Sequence, residues 1–310
     1  MPLTQEQANK LKKIAAAGSI SLAVSLCLIK GLGVFYTDSL AVLSSMVDSL
    51  SDIFASLITL IAVRISVRPA DCSYRYGYGK AEALSALFQA AFIAVSGLFI
   101  LYDAGLRLKN PIPLTQTGLG LIIMITSLVL TLLLVAFQRY VAKRTNSQAI
   151  LADSMHYSVD IMTNGSIIIS LIAVRLWQID WIDTAIAGII SVYLLYNAYI
   201  LGRDAVFLLL DRELDDDIRN SIYQIVSQHP ISPKIHDLRT RNLGGAYMFE
   251  FHIELDGRLD LYTAHKYTDE VEELIRQTYP DAQIIIHQDP AGLAEERLDN
   301  KLVGSSCALK

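Results

Sequence analysis

Apolar residues in this chain gather in six long blocks, at about 12–36, 39–65, 81–108, 117–140, 147–174 and 180–203. Crossing a bilayer as a helix takes about 20 predominantly apolar residues, so each block predicts a membrane helix. The first two are expected to join through a very short turn around Asp38. From Asp215 the period changes. The stretch "DDIRNSIYQIVSQHP" sets Ile218, Ile222, Ile225 and Val226 at helical spacing, with Pro230 just beyond. "KIHDLRTRNLGGAYMFEFHIELDG" alternates on both sides of Gly244-Gly245, which predicts a β-hairpin. "DLYTAHKYTDEVEELIRQTYP" predicts a second amphipathic helix after Leu261, and "AQIIIHQDP" a third strand. The predicted fold is therefore an all-α six-helix membrane domain over 1–209 and a cytoplasmic α+β domain over 210–290. The order of the latter is α-β-β-α-β, with a sheet packed on two helices. The polar stretch 291–310 is expected to be a loosely held tail.

Composition agrees with a membrane protein. The 310-residue chain is 53% hydrophobic, and its mean hydropathy is +0.39. Basic residues set the expected orientation. Lys10, Lys12 and Lys13 precede the first block, Arg64, Arg68, Arg75 and Lys80 follow the second, and Arg139, Lys143 and Arg144 follow the fourth. The opposite side has fewer, with Arg107, Lys109 and Arg175, so both termini are expected in the cytoplasm. A basic front could also open a signal peptide, but this block is long, lacks a small-residue cleavage site and is followed by further spans. The net charge of −5 comes from an acidic excess after Asp211, which argues against nucleic acid as a partner. Cys27, Cys72 and Cys307 form no CxxC pair and suggest neither a disulfide framework nor a thiolate metal site. With no Gly-rich nucleotide loop and no nucleophile–base pair, the sequence gives no support to an enzyme or an ATP-driven pump.

The chemistry lies inside the apolar blocks. "SSMVDSLSDIF" places Asp48 and Asp52 at i, i+4, and "LADSMHYSVDIMTNG" places His156 and Asp160 at the same spacing. Each pair shares a helix face. Charged and unpaired, such groups would cost roughly 2.5–3.5 kcal/mol apiece at mid-bilayer. A divalent cation held between the two helices removes that cost, and three carboxylates with one imidazole suit tetrahedral Zn²⁺. A hydrogen-bonded aspartate without metal, or a metal-free proton relay, are the alternatives. Asp153, one turn before His156, could be a charge at the cytoplasmic mouth. The serines beside the aspartates (Ser44, Ser45, Ser49, Ser51) serve better for close helix packing than as ligands. Metal and protons compete for the same lone pairs, so an inward proton gradient could drive metal outward. That competition points to antiport.

At these residues the sequence resembles the cation diffusion facilitator family, and within it the bacterial zinc and ferrous-iron efflux pumps. The resemblance rests on the two motifs above, on "RPADCSYRYGYGKAEAL", on "LLLDREL", and on "HDLRTR" with "IIIHQDP", and runs from about 12 to 290. It implies a homodimer in a bacterial inner membrane, alternating between inward- and outward-facing states, with a metallochaperone-like cytoplasmic domain. It places Asp48, Asp52, His156 and Asp160 on the transport site. In the soluble domain, His236, His252, His265, His287 and Asp289 favour a structural binuclear metal site over solvated histidines. The resemblance implies that Asp289 bridges two ions, with His236 and His252 on one and His265 and His287 on the other. It also implies a charge interlock of Lys80 with Asp211 near the dimer axis. One feature departs from the family. Its loop metal site after the second helix uses an aspartate and two histidines, whereas here Asp71 is followed by Tyr74 and Tyr78. A phenol with pKa near 10 is a poor zinc ligand, so this site is expected to be absent or very weak, with Cys72 the only substitute. Zinc leads as the expected cargo, Fe²⁺ and Cd²⁺ follow, and Mn²⁺ suits the ligand set less well. An iron-specific exporter and a membrane-anchored metal sensor are the competing readings.

Overall fold

The computed structural model describes residues 4–37, 40–109, 118–177, 182–231, 233–293 and 296–301. The expected turn at Asp38 and Cys307 lie outside the described residues. The chain divides into two units, Met1–Leu209 and Leu210–Lys310.

Among its described residues the first unit has the long helices α1 (Gln5–Thr37), α2 (Leu40–Ser66), α3 (Ala81–Lys109), α4 (Gly118–Thr145), α5 (Gln148–Trp177) and α6 (Ile182–Leu209). Among the described residues, five helices are long and apolar enough to cross a membrane, over 6–32, 48–66, 81–106, 124–145 and 184–209. The remaining long helix, α5, is the one that carries Asp153, His156 and Asp160. Large apolar side chains such as Leu28, Phe54, Phe99, Leu133 and Ile189 face outward, as they can where the surroundings are lipid.

Small residues let these helices approach closely. Ala86 and Ala90 of α3 meet Ala198 and Ala205 of α6. A Cβ built at Gly97 would come within 3.2 Å of Leu195, and one at Gly202 within 3.4 Å of Ala90. A second cluster, Ala15, Ala16, Leu60, Val63, Val141, Ala142, Ala149 and Ile150, joins α1, α2, α4 and α5. Helix α5 packs against each of the other five, so residues on it have protein on most sides. At one end of the unit Glu82 opens α3 and ties three further segments together. Its carboxylate takes Lys12 of α1 at 2.9 Å and Ser66 of α2 at 2.9 Å, and Ser147, just before α5, donates to its other oxygen.

The second unit has α7 (Asp216–Ser227), β1 (Lys234–Asn242), β2 (Tyr247–Leu255), α8 (Leu261–Thr278), β3 (Gln283–Pro290) and a short α9 (Leu298–Lys301). The sheet order is β1-β2-β3, with β1 antiparallel and β3 parallel to β2. The hairpin turns at Gly244 and Gly245, whose φ values of 87° and 132° are open to glycine. A parallel return needs a crossover, and α8 supplies it. Asp260 caps α8 by accepting the Thr263 N–H at 3.0 Å. Alternation sends Phe249, Phe251, Ile253 and Leu255 of β2 into a core with Ile222, Val226, Val271 and Ile275 from α7 and α8. The intervening residues, including His252, fall on the other face.

The stretch after Pro290, expected to be loose, is anchored over its described part. The Ala291 N–H donates to the Leu255 carbonyl at 2.7 Å, and the Leu298 N–H to Asp237 Oδ2 at 2.9 Å. Arg297 pairs with Glu254. The bulge between His236 and Arg239 makes this possible: Asp237 takes φ 52° there and turns its carboxylate toward α9.

Candidate functional site

In the membrane unit, α2 and α5 bring Asp52, His156 and Asp160 together. One ligand-type atom from each lies within 4.8 Å of the others. His156 Nε2 is 3.2 Å from Asp52 Oδ1, and both side chains are buried. Two ligands of a tetrahedral ion with bonds of about 2.0–2.1 Å sit about 3.3 Å apart, so the spacing suits a shared cation. The His156 ring is held edge-on by Phe92 at 5.4 Å and by Tyr157 at 5.7 Å.

Asp48, the fourth residue expected here, is on the same helix but is exposed and outside this converging group. Positions i and i+4 are about 6 Å apart along a helix axis, so sharing a face does not by itself bring two carboxylates to one point. Next to it, Ser49 accepts a hydrogen bond from Lys30 Nζ of α1 at 2.7 Å, both groups buried.

In the soluble unit the sheet sets three histidines in a row. His236 of β1 stands opposite His252 of β2, which stands beside His287 of β3. Ring centroids are 5.0 Å and 4.7 Å apart along this row. Asp289, two residues beyond His287 on β3, turns to the same face and is buried. Its Oδ2 lies 2.8 Å from His252 Nδ1 and 3.2 Å from His236 Nε2, while its Oδ1 lies 3.2 Å from His287 Nε2. One carboxylate thus faces imidazoles with both oxygens, the arrangement a bridging ligand requires. His236 Nδ1 is buried without a hydrogen-bond partner, 3.8 Å from Glu254 Oε1. His265, the fifth residue expected in this group, stands apart on α8. Its ring is largely exposed and lies 3.6 Å from Asp269, one turn along the same helix.

The loop between α2 and α3 uses Asp71 in another way. The Tyr78 hydroxyl donates to Asp71 Oδ2 at 2.6 Å, and the Ser73 and Tyr74 N–H groups donate to Oδ1 at 2.8 Å each. The Tyr74 and Tyr78 rings lie 4.6 Å apart. The Tyr78 hydroxyl, then the two N–H groups, hold the Asp71 carboxyl below the usual range, and the same bond raises Tyr78. Three of the carboxylate's lone-pair sites are thereby engaged. Of the expected charge interlock, Asp211 pairs with Arg241 at 3.3 Å, and Lys80 lies at the end of the same loop as Tyr78, just before α3.

Sequence reasoning passed over the cage around Asp153. This carboxyl is fully buried and accepts from Ser19 of α1 and Gln138 of α4, each at 2.5 Å. The signal was present in Asp153, His156, Tyr157 and Asp160, a polar stripe at i, i+3, i+4, i+7 on one helix.

The family model for the cation efflux transmembrane domain matches residues 17–210, and that for the cation efflux protein cytoplasmic domain matches 214–291. The cation-efflux pump FieF of Escherichia fergusonii is 43% identical over 287 residues, covering 92% of this chain and 95% of that protein. FieF of Escherichia coli O1:K1 / APEC is 42% identical over the same lengths. The metal-bound C-terminal domain of the CzcD transporter from Thermotoga maritima is 28% identical, covers 26% of this chain and 93% of that one, and superposes with a TM-score of 0.25.

Proposed function

This chain belongs to the cation efflux family of membrane transporters, and from that premise we propose that it exports a divalent transition metal in exchange for protons. Zn²⁺ is the first cargo, with Fe²⁺ and Cd²⁺ as further candidates. The observation that carries this reading is the convergence of Asp52, His156 and Asp160 from two helices, with His156 Nε2 3.2 Å from Asp52 Oδ1. Two carboxylates and one imidazole are a hard-to-borderline donor set that favours such ions over Ca²⁺ or Mg²⁺. Asp48 completes the set in a conformation in which α2 shifts along α5. The same groups bind protons when the ion leaves, which is the exchange an antiporter performs.

In this reading α5 is the sixth membrane span, and its polar stripe faces the helices around it rather than lipid. Residues 1–209 form the transport domain and 210–290 a cytoplasmic metal-binding domain, with both termini inside. The working unit is a homodimer in a bacterial inner membrane. The row His236, His252 and His287 with Asp289 would hold resident zinc. Metal bound there would supply cross-links between the strands, with Asp289 as a shared ligand and His265 as a further residue that would hold it.

Metal flux in proteoliposomes under an imposed pH gradient, run with Zn²⁺, Fe²⁺, Cd²⁺ and Mn²⁺, tests the proposal. Uptake that responds to the gradient and falls to background with His156→Ala or Asp160→Ala is expected. Flux indifferent to the gradient would remove the antiport, and flux of Fe²⁺ alone would favour an iron-specific exporter.

A further inference from the structure

Beside the metal-binding groups, the membrane unit buries a second acid. Asp153 is on α5, one turn nearer the α4–α5 connection than His156, and no part of it reaches the surface. Its Oδ2 accepts the Ser19 hydroxyl of α1 and the Gln138 Nε2–H of α4. That acceptor sets the direction of the hydroxyl chain behind it. Ser19 has one proton and gives it to Asp153, so Ser56 of α2 donates to Ser19 at 2.7 Å and Tyr157 donates to Ser56 at 2.8 Å. The Thr59 hydroxyl, also within reach of the Asp153 carboxyl, is directed to the Ala55 carbonyl at 3.3 Å and accepts from Gln89 Nε2.

Two oxygens in the cage have no partner, Asp153 Oδ1 and Gln138 Oε1. They belong to the two groups that the Nε2···Oδ2 contact already joins. A bare carboxylate oxygen and a bare amide carbonyl, buried on two groups that already share a hydrogen bond, are costly on both counts. Reversing the Gln138 amide gives no relief, because it sets two acceptors against each other. A single proton satisfies both atoms.

We propose that Asp153 is a proton-binding site, its carboxyl carrying a proton on Oδ1 and donating it to Gln138 Oε1 in a cyclic acid–amide pair between α5 and α4. The protonated carboxyl is then donor and acceptor at once. Removing the proton sets Oδ1 against Oε1 and weakens the hold of α4 on α5. Since α5 packs on every other membrane helix and carries His156 and Asp160, proton occupancy at Asp153 biases the helix that presents the metal ligands. The titratable groups beside it are His156 and Tyr157 on its own helix, with Asp52 of α2 beyond them at 3.2 Å from His156. Ser19 of α1 and Gln138 of α4 bring no charge. Lys12 of α1 is paired with Glu82 at 2.9 Å, and Arg139 of α4 bonds Ser158 at 3.0 Å. The site goes beyond the exchange reading above and is independent of which metal is carried.

The test is an infrared difference spectrum of the purified full-length protein at neutral pH, wild type minus Asp153→Asn. An asparagine amide can donate to Gln138 Oε1 in place of the acid, so this variant keeps the pairing and is expected to melt with the wild type. A carboxylic-acid C=O band present only in the wild type is the expected result. The band should move to higher frequency in Gln138→Leu, where the acid loses its amide partner. As pH rises, the band should fade, and the melting temperature should fall more steeply in the wild type than in Asp153→Asn. Loss of a carboxylate stretch instead of an acid band in the difference spectrum would overturn the proposal, whatever Gln138→Leu does. The spectrum is read without transport. A protein that moved no metal but showed the band would defeat the exchange reading and leave the proton site standing.

Discussion

The two metal-type clusters are built on different supports. In the soluble unit His236, His252 and His287 stand in one row across three hydrogen-bonded strands, so the backbone ladder itself sets their spacing. In the membrane unit Asp52 comes from α2 and His156 and Asp160 from α5. No backbone hydrogen bonds link two such helices, and their spacing changes whenever one slides on the other. The donor sets differ in the same sense. Three imidazoles share one carboxylate in the sheet, whereas two carboxylates share one imidazole between the helices. A ladder-held, imidazole-rich cluster suits an ion that stays. A cluster split between two separate helices, rich in groups that accept protons, suits an ion that must leave.

Deleting ligands tests that contrast most strongly. Asp160→Ala or His156→Ala should lower metal flux in proteoliposomes by at least about 100-fold, the upper range for losing even a supporting group. Asp289→Ala should leave flux within a few-fold of wild type. It should remove the rise in melting temperature that metal gives the full-length protein, which is worth about 2.7 kcal/mol when free metal is 100 times Kd. The opposite pattern, flux sensitive to Asp289 and indifferent to Asp160, would break the comparison and favour a membrane-anchored sensor.

Within the soluble cluster the two outer histidines sharpen it. His287 Nε2 faces Asp289 Oδ1 at 3.2 Å, whereas His265 is turned to Asp269 at 3.6 Å. If the proposed site takes two ions, removing His287 should therefore weaken the second by about 10–100-fold, and removing His265 by less than about 10-fold. Calorimetric titration of zinc into each full-length variant measures both. Equal losses would mean that α8 swings His265 onto the ion when metal arrives.

The parts of this molecule legible in its sequence are those set by local period. Apolar blocks mark the long helices, and the change to alternation around Gly244-Gly245 marks the sheet, because both follow from which face a residue presents to its own element. The i, i+4 pairs singled out Asp52, His156 and Asp160, which converge, for the same reason. Local period gives a shared face but no rotamer and no neighbour, and there the reading falls short. Asp48 shares its face with Asp52 yet lies outside the cluster, and His265 finds a nearer partner on its own helix. The Asp153 cage takes Ser19 from 134 positions away, and α9 is held by Asp237 from 61 positions away. Such contacts depend on tertiary packing, which no window of sequence contains.

The smallest expected effect concerns the α2–α3 loop, where the Tyr78 phenol holds the Asp71 carboxylate. Tyr78 and two N–H groups together satisfy the Asp71 carboxylate, so protection of the Ser73 and Tyr74 amides from hydrogen exchange should not depend on added zinc. The two pKa directions give the pH window. Asp71 is lowered, so its contribution is complete above the ordinary carboxylate range and is lost as pH falls through the lowered value. Tyr78 is raised, so its contribution is complete below about 10 and is lost as pH rises through the raised value. Protection should therefore hold level between those limits. Tyr78→Phe should reduce protection at both amides and leave metal flux within about 2-fold, as expected of an exposed hydrogen bond. If zinc instead protected these amides in the wild type and not in Asp71→Asn, the loop would bind metal after all, and a third cluster of the exchangeable kind would have to join the comparison.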